Sequence, residues 1–297
     1  LTENSKRAVA LGLFDGVHLG HREVIGYPVK HEKSGFIPSV FTFGSNSLSE
    51  KQGRKIEYIY TDSQKKRLIE ALGIHEVFSS DFEEIKMLTG EEFAMNILVK
   101  KLHAAYVVCG KDFRFGSKAS CGIKELAEFG RKYGFEAEIA EDVQSGGENV
   151  SSNRIREMLK AGEIQSANRL LGENYRIDGE VVHGRQLGRT LNFPTVNQLY
   201  GENQLIPRKG VYFSETEADG IHYASVTNIG VKPTVGAEAN PLAETHILDY
   251  SGNLYGKSIT VRLKEFVRDE RKFSSAEELR RQIEKDTEYC RSMAGKE

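Results

Sequence analysis

The run Gly12-Leu13-Phe14-Asp15-Gly16-Val17-His18-Leu19-Gly20-His21 decides how the first half of this chain reads. It follows an apolar stretch, Ala8 to Leu13, of the kind that forms a buried strand. Glycines at 12, 16 and 20 permit close backbone approach or positive φ where a strand gives way to a helix. His18 and His21 are three apart, so a helix starting there sets both rings on one face. That face lies at a helix N-terminus, where free N–H groups and the dipole favour an anion. The pattern suits a phosphate, with two imidazoles able to donate to its oxygens as charge develops. A metal site is the competing functional reading, although no carboxylate or thiol cluster stands beside the histidines. A plain glycine turn with surface histidines is the third. There is no Gly-x-Gly-x-x-Gly and no Gly-Lys-Ser/Thr loop, so neither a dinucleotide fingerprint nor a P-loop is indicated.

Composition sets outer bounds. The chain has 297 residues, 39% hydrophobic and 28% charged, as expected of a globular protein large enough for two domains. A formal net charge of −2 gives no electrostatic case for nucleic acid or an anionic membrane as partner. No apolar run approaches a membrane span, and the N-terminus carries no signal-peptide pattern. Cys109, Cys121 and Cys290 are widely spaced, which predicts a reducing cytoplasm and neither a disulfide framework nor a zinc ribbon.

Along the first half, a helix is expected after His21, kinked or ended early by Pro28. Ile37 to Phe43 reads as a strand, Gly44 to Lys55 as a polar loop, and Asp62 as the cap of a helix through Leu72. His75 to Ser79 is a short strand. Thr89 caps a helix over Glu91 to Leu102, with Glu92 completing a capping box. Ala105 to Cys109 is another buried strand. This alternation predicts an α/β domain with a mostly parallel sheet covered on both faces and ligands at the carboxyl ends of its strands. Two further stretches fall there. Gly110-Lys111-Asp112-Phe113-Arg114-Phe115-Gly116 reads either as a ligand loop or as a turn with core-seeking phenylalanines. Val150-Ser151-Ser152-Asn153-Arg154-Ile155-Arg156 opens a helix ending near Ala161, either as a phosphate-suited start or as a plain cap with solvent-facing arginines.

Together these stretches resemble the adenylyltransferase half of bacterial bifunctional riboflavin kinase/FAD synthetases, whose histidine signature is of the HIGH type and whose sheet is Rossmann-like. The resemblance implies attack by the FMN phosphate on the α-phosphorus of ATP, releasing pyrophosphate with Mg²⁺. It assigns catalysis to His18 and His21, and nucleotide or phosphate binding to Gly12, Phe14, Asp15, Gly16, Ser152, Asn153 and Arg156. Asp112 and Phe113 would line the flavin side. Asn153 stands where the family usually has Thr or Ser, and Gly44-Ser45-Asn46-Ser47 replaces a proline- and histidine-bearing loop.

Ile164 to Leu171 reads as a helix stopped by Gly172. Beyond it the pattern changes to strands: Tyr175 to Val182, Val211 to Thr216, Tyr223 to Ile229, Glu244 to Leu248 and Ser258 to Phe266. Many short strands without intervening helices predict a closed antiparallel barrel, and a helix over Ser275 to Ala294 follows. Gly184 and Gly188 suggest a phosphate-surrounding loop. After Pro194 the backbone is extended, so Thr195 and Asn197 point the same way, as partners for Mg²⁺ and phosphate or as parts of a structural turn. Alternation sets Glu244, His246 and Leu248 on one face, making Glu244 a carboxylate on the packed side or half of a rim salt bridge.

The run from Gly184 to Asn197, with Gly210-Val211-Tyr212, Asn228-Ile229-Gly230 and Leu254-Tyr255-Gly256, resembles the riboflavin kinase domain and its six-stranded barrel. On that resemblance Thr195 and Asn197 hold Mg²⁺ and ATP phosphate, and Gly184, Gly188 and Arg189 form the phosphate-facing loop. Glu244 orients or deprotonates the ribityl 5′-hydroxyl, and Arg268 belongs to the flavin site. The expected organisation is an adenylyltransferase domain over 1–162, a linker helix over 163–172 and a kinase domain over 173–297, in a monomer or weak homo-oligomer. The expected product line is FMN, then FAD, from riboflavin and ATP. The rivals are a kinase with a weakened or altered transferase, and a non-catalytic flavin- or RNA-binding module.

Overall fold

The computed structural model describes residues 6–44, 56–183, 193–231 and 241–295. The chain divides into two compact units, Leu1–Ser152 and Asn153–Glu297.

In the first unit β1 (Arg7–Leu11) is followed by α1 (Leu19–His31), β2 (Ile37–Phe43), α2 (Asp62–Ala71) and β3 (Glu76–Ser80). Then come α3 (Phe82–Ile85), α4 (Gly90–Glu92) running into a π-helical stretch Phe93–Lys101, β4 (Ala104–Cys109), α5 (Ile123–Tyr133) and β5 (Glu136–Ile139). The five strands form one sheet in the order β3-β2-β1-β4-β5, every neighbour parallel. Ala8, Val9, Ala10 and Leu11 are all buried, because helices cover both faces and leave β1 no polar side. Val9, Leu11, Phe41, Phe93, Leu98 and Val107 share one core with Phe115 and Leu126. The strand order reverses at β1: the chain first builds outward through β2 and β3, then returns to place β4 on the other side. Leu11 therefore lies beside Cys109, and the segments following β1 and β4 leave the sheet side by side at its switch point.

Three local expectations need correction. Of the two outcomes expected at Pro28, an early end is ruled out: α1 runs on to His31 with the proline ring buried. That packing offsets the lost N–H and the ring's clash with the preceding turn. Thr61, not Asp62, caps α2, and it does so in a reciprocal capping box with Gln64. The helix after Thr89 has the expected capping box but passes into π geometry from Phe93 onward. The sequence reading also passed over α3, α5 and β5, and a small hairpin of β6 (Gln144–Ser145) with β7 (Glu148–Asn149).

α6 (Ser152–Ala161) starts on the last residue of the first unit, and α7 (Ile164–Leu171) ends on Gly172 in left-handed geometry. The sequence expectation set the join at 163–172, whereas compactness divides the chain before Asn153. Both helices are hydrogen-bonded into the second unit. Arg208 N donates to Leu159 O, and Asn168 donates to Leu263 O at 2.9 Å while accepting from Tyr175 N at 2.7 Å.

The second unit holds β8 (Arg176–Glu180), β9 (Val196–Leu199), β10 (Gly210–Ala218), β11 (Ile221–Val231), β12 (Pro241–Ile247), β13 (Ser258–Arg268) and α8 (Ala276–Ala294). They form an antiparallel sheet in the order β8-β13-β10-β11-β12-β9. Its ends come together: Val182 N donates to Asn197 O, and Gln198 Nε2 donates to Gly179 O at 3.1 Å and Ile259 O at 3.0 Å. One buried amide thus completes a seam that backbone pairing leaves short, and the sheet is a nearly closed barrel. Inside, Ser214, Thr216, Ser225, Thr227 and Thr245 are buried and bonded to one another, with Ser214 to Thr227 at 2.7 Å and Thr227 to Thr245 at 2.9 Å. Outside, α8 covers Val211, Phe213 and Val226 through Cys290 and Met293.

Candidate functional sites

At the carboxyl end of β1 the chain takes a route that few side chains tolerate. Phe14 (φ 53°) and Val17 (φ 43°) join Gly16 (φ 84°) in left-handed geometry, rare for any residue other than glycine and an outlier for a β-branched one. A Cβ at Gly12 would lie 2.8 Å from the Phe14 ring, so that glycine gives the folded-back ring its place. Several contacts hold the turn. The buried Asp15 carboxylate accepts from Ile59 N at 2.9 Å, and Ser152 Oγ donates to Asp15 O at 2.9 Å. Thr42 Oγ1 donates to Leu13 O at 2.9 Å. Lys65, only 4% exposed, donates to Phe43 O at 2.6 Å, and burial pulls its ammonium below the ordinary lysine value. Lys65 was invisible to the sequence reading, since nothing local to α2 marks a lysine as buried.

His18 is the cap of α1, one residue before the helix, and its Nδ1 accepts from His21 N at 3.3 Å. The neutral ring therefore carries its proton at Nε2. The helix starts at Leu19, ahead of His21 and not after it, and the two rings meet: His18 and His21 stack at 3.5 Å and 17°, with the Phe14 ring edge-on to His21 at 5.4 Å. Two imidazoles are thus gathered at a helix N-terminus beside the sheet's switch point, an arrangement able to donate to an anion. After β4, Asp112 is exposed, while Phe113 is half-buried and stacks on Phe115 at 5.8 Å. Asn153 and Arg156 lie in the first turn of α6 within the second unit, where Arg156 Nη1 donates to Asn153 Oδ1 at 2.5 Å.

In the barrel, Thr195 Oγ1 donates to Glu244 Oε1 at 2.8 Å, and Asn197 stands opposite Glu244 in the ladder between β9 and β12. Asn228 faces Glu244 from the other side. The face assignment for β12 needs correction: Ala243, Thr245 and Ile247 point into the barrel, so half-buried Glu244 and His246 lie outside. Since the interior carries hydroxyls, polarity did not separate in from out. His246 Nδ1 donates to Pro194 O at 2.8 Å, and its ring meets Phe193 edge-on at 5.4 Å. Burial pushes this imidazole below its ordinary value, and Arg291 acts in the same direction. A cleft of about 420 Å³ opens alongside, lined by Val181, Pro194, Thr195, Thr245, Leu254 and Tyr255 among others.

Arg268 lies on the same rung as Glu244, but three strands away through Val211 and Asn228, about 14 Å at the usual spacing. Its guanidinium is bonded to the buried Asp286 of α8, with Nη2 to Oδ2 at 2.6 Å and Nε to Oδ1 at 3.0 Å. Gly184, Gly188 and Arg189 fall outside the described residues. Among the described residues no three histidine, cysteine or acidic side chains gather as a metal site. The oxygen donors Thr195 and Asn197 are of the kind a hard cation takes together with phosphate and water. They fit Mg²⁺, since the Thr195 hydroxyl donates its hydrogen to Glu244 and leaves its lone pairs available to a cation.

Comparison with known proteins adds the following. A family model described as FAD synthetase matches residues 1–154, and one described as riboflavin kinase matches 171–294. A bifunctional riboflavin kinase/FMN adenylyltransferase of Buchnera aphidicola is 36% identical, covering 97% of this chain and 94% of that one. The protein of that name in Escherichia coli is 34% identical, covering 97% and 92%. A crystal structure from Streptococcus pneumoniae titled as a macrolide-efflux protein shares 28% identity and a TM-score of 0.85, covering 98% of this chain and 95% of that chain. Among the described residues of the present chain no helix is long and apolar enough to cross a membrane.

Proposed function

The chain belongs to the family of bifunctional riboflavin kinase/FMN adenylyltransferases, and from that premise we propose how its two reactions are divided. It phosphorylates riboflavin to FMN and transfers an adenylyl group to FMN to give FAD. Adenylyl transfer belongs to the α/β domain and phosphorylation to the barrel, with residues 163–172 as the join and ATP as donor in both.

In the first reaction an FMN phosphate oxygen attacks the α-phosphorus of ATP and pyrophosphate leaves. His18 and His21 donate to the oxygens on which charge builds, and the α1 N-terminus adds its N–H groups. Gly12, Phe14, Asp15 and Gly16 shape that turn. Ser152, Asn153 and Arg156 serve the nucleotide phosphates, and Asp112 and Phe113 the flavin side. In the second reaction Glu244 receives or orients the proton of the ribityl 5′-hydroxyl as its oxygen attacks the γ-phosphorus. This work is mostly positioning, so a carboxylate of ordinary basicity suffices. Mg²⁺, held by Thr195 and Asn197, would neutralise phosphate charge there. Gly184, Gly188 and Arg189 take their phosphate-binding role from the family resemblance alone. Arg268 would serve the flavin with the N–H groups that its bonds to Asp286 leave over. Three free cysteines favour a reducing cytoplasm.

The observation that carries the kinase half is the bond from Thr195 to Glu244 beside the cleft. The test is one incubation with riboflavin, ATP and Mg²⁺, resolved for FMN and FAD. Glu244→Ala should abolish FMN formation yet convert supplied FMN to FAD; His21→Ala should make FMN and no FAD. Equal loss of both activities in either variant would sink the division. FMN alone from the unaltered protein would favour the second reading, a transferase weakened where Asn153 replaces a hydroxyl and spends its oxygen on Arg156.

A further inference from the structure

The segment Phe193-Pro194-Thr195 has no ladder of its own, since β9 begins at Val196. Side chains of β12 hold it at two successive points on one face. Glu244 Oε1 accepts from the Thr195 hydroxyl at 2.8 Å, and His246 Nδ1 donates to Pro194 O at 2.8 Å. The acceptor at Pro194 is a carbonyl, so Nδ1 must carry the hydrogen whichever charge the ring bears. The Phe193 ring meets the imidazole edge-on, which fixes the plane in which that hydrogen points. Pro194 and Thr195 both line the cleft, so a shift of this segment displaces the Thr195 oxygen directly. Proline has no N–H, so the carbonyl is the main-chain group of Pro194 through which it can be tied down.

We propose that His246 is a positioning residue of the kinase, fixing the Pro194 carbonyl so that the Thr195 hydroxyl is presented to the metal-bound triphosphate. The inference rests on the kinase reading of Thr195 and Glu244. His246 does not reach the reacting atoms; it acts through the backbone of the segment it holds. Around the ring stand Glu244 on its own strand, Asp249 just beyond it and Arg291 on α8, the last two paired with each other at 2.7 Å.

The test compares His246→Leu, which removes the donor, with His246→Asn, whose amide nitrogen can take the place of Nδ1. Thr195→Ala is the benchmark. Kinase rates are measured over Mg²⁺ and ATP concentration at saturating riboflavin, riboflavin binding by flavin fluorescence, and adenylylation of supplied FMN in the same preparations. The leucine variant should raise the KM for Mg·ATP about tenfold, the usual effect of losing a group that orients a ligand-bearing residue. Riboflavin affinity and FMN adenylylation should stay as they were, and the asparagine variant should restore most of the loss. Equal impairment of leucine and asparagine variants would overturn the proposal, as would a fall in riboflavin affinity in step with the rate. An unaltered leucine variant beside a crippled Thr195→Ala would overturn it while leaving the kinase reading intact. An active Thr195→Ala would remove both. If the leucine variant does not fold, His246→Gln replaces it: its longer amide cannot set a donor at the Nδ1 position, so the proposal requires it to be impaired where asparagine is not.

Discussion

Replacing Arg268 by methionine would leave the Asp286 carboxylate inside the contact between β13 and α8 without its cation. The side chains of the pair are 22% and 5% exposed, and two guanidinium nitrogens bond the carboxylate. Gln282 Nε2 also donates to Asp286 Oδ1 at 2.7 Å, so one hydrogen bond survives. Stripping one partner from such a pair costs about 3–5 kcal/mol, and the retained amide contact places the value near the lower figure. Asp286→Leu should cost less, because Arg268 can turn toward water while keeping its bond to Asp269 O at 3.0 Å. The double variant Arg268→Met/Asp286→Leu should recover roughly 2 kcal/mol of the summed single losses, since an apolar pair leaves no buried charge unmatched. The assay is urea unfolding of all four proteins, followed through the transition that riboflavin shifts upward. Riboflavin KM is measured alongside. Additive losses, or a riboflavin KM that rises in both Arg268 variants while stability holds, would show that the arginine serves the flavin and not the helix.

Three further outcomes are expected. His18→Asn should keep the cap of α1 and the stability of the α/β unit while losing FAD formation, whereas His18→Leu should lose the cap as well, about 1 kcal/mol by thermal unfolding; a fully active asparagine variant would remove the imidazole from the chemistry. Gly210→Ala should destabilise the barrel by at least about 2 kcal/mol, because at φ 147° the new Cβ would lie 2.4 Å from Arg268 O and 2.7 Å from the Phe266 ring; a change within error in urea unfolding would refute that steric reading. The Arg7 guanidinium holds the Glu76 carboxyl below its ordinary value, so this pair stabilises the fold above the unfolded pKa of about 4.3 and ceases to as pH falls through the lower folded value. Glu76→Gln should therefore lower the melting temperature near neutrality and flatten its fall in acid; parallel curves for the two proteins would count against it.

What the sequence discloses and what it hides follow from where each signal is written. The run Ala8 to Leu13 and the span Ile37 to Phe43 are legible because strands covered on both faces are mostly apolar, even though the second buries Ser39 and Thr42. The helix Ile164–Leu171 is legible because its apolar period and its closing glycine agree. β5 is not, since Glu136 and Glu138 alternate with small or exposed residues at a sheet edge. The face of Glu244 was misjudged because the barrel fills its interior with hydroxyls, so parity of polarity along β12 carries no sign. The candidate site residues were legible as motifs, but their fixings were not. The bonds of Lys65 to Phe43 O, His246 to Pro194 O and Arg268 to Asp286 join residues distant in sequence, and no local pattern announces such partners.

Those fixings also explain why the two candidate sites can sit on backbone that is poor in regular hydrogen bonds. Left-handed geometry at Phe14 and Val17 costs of order 1–3 kcal/mol at each residue, more readily borne where surrounding structure over-determines it. Here Asp15, Thr42 and Ser152 bond to or from that turn, and the Ile59 N–H anchors it from the far side. In the barrel the segment before β9 is held instead by Glu244 and His246. In both units the holding groups come from elements that the hydrophobic core already fixes, so the strain falls on parts of the fold least able to relax it. Donors and acceptors that must not reorganise as charge develops on phosphorus gain most from such fixing. Loosening any one of these contacts should accordingly affect turnover before it affects folding.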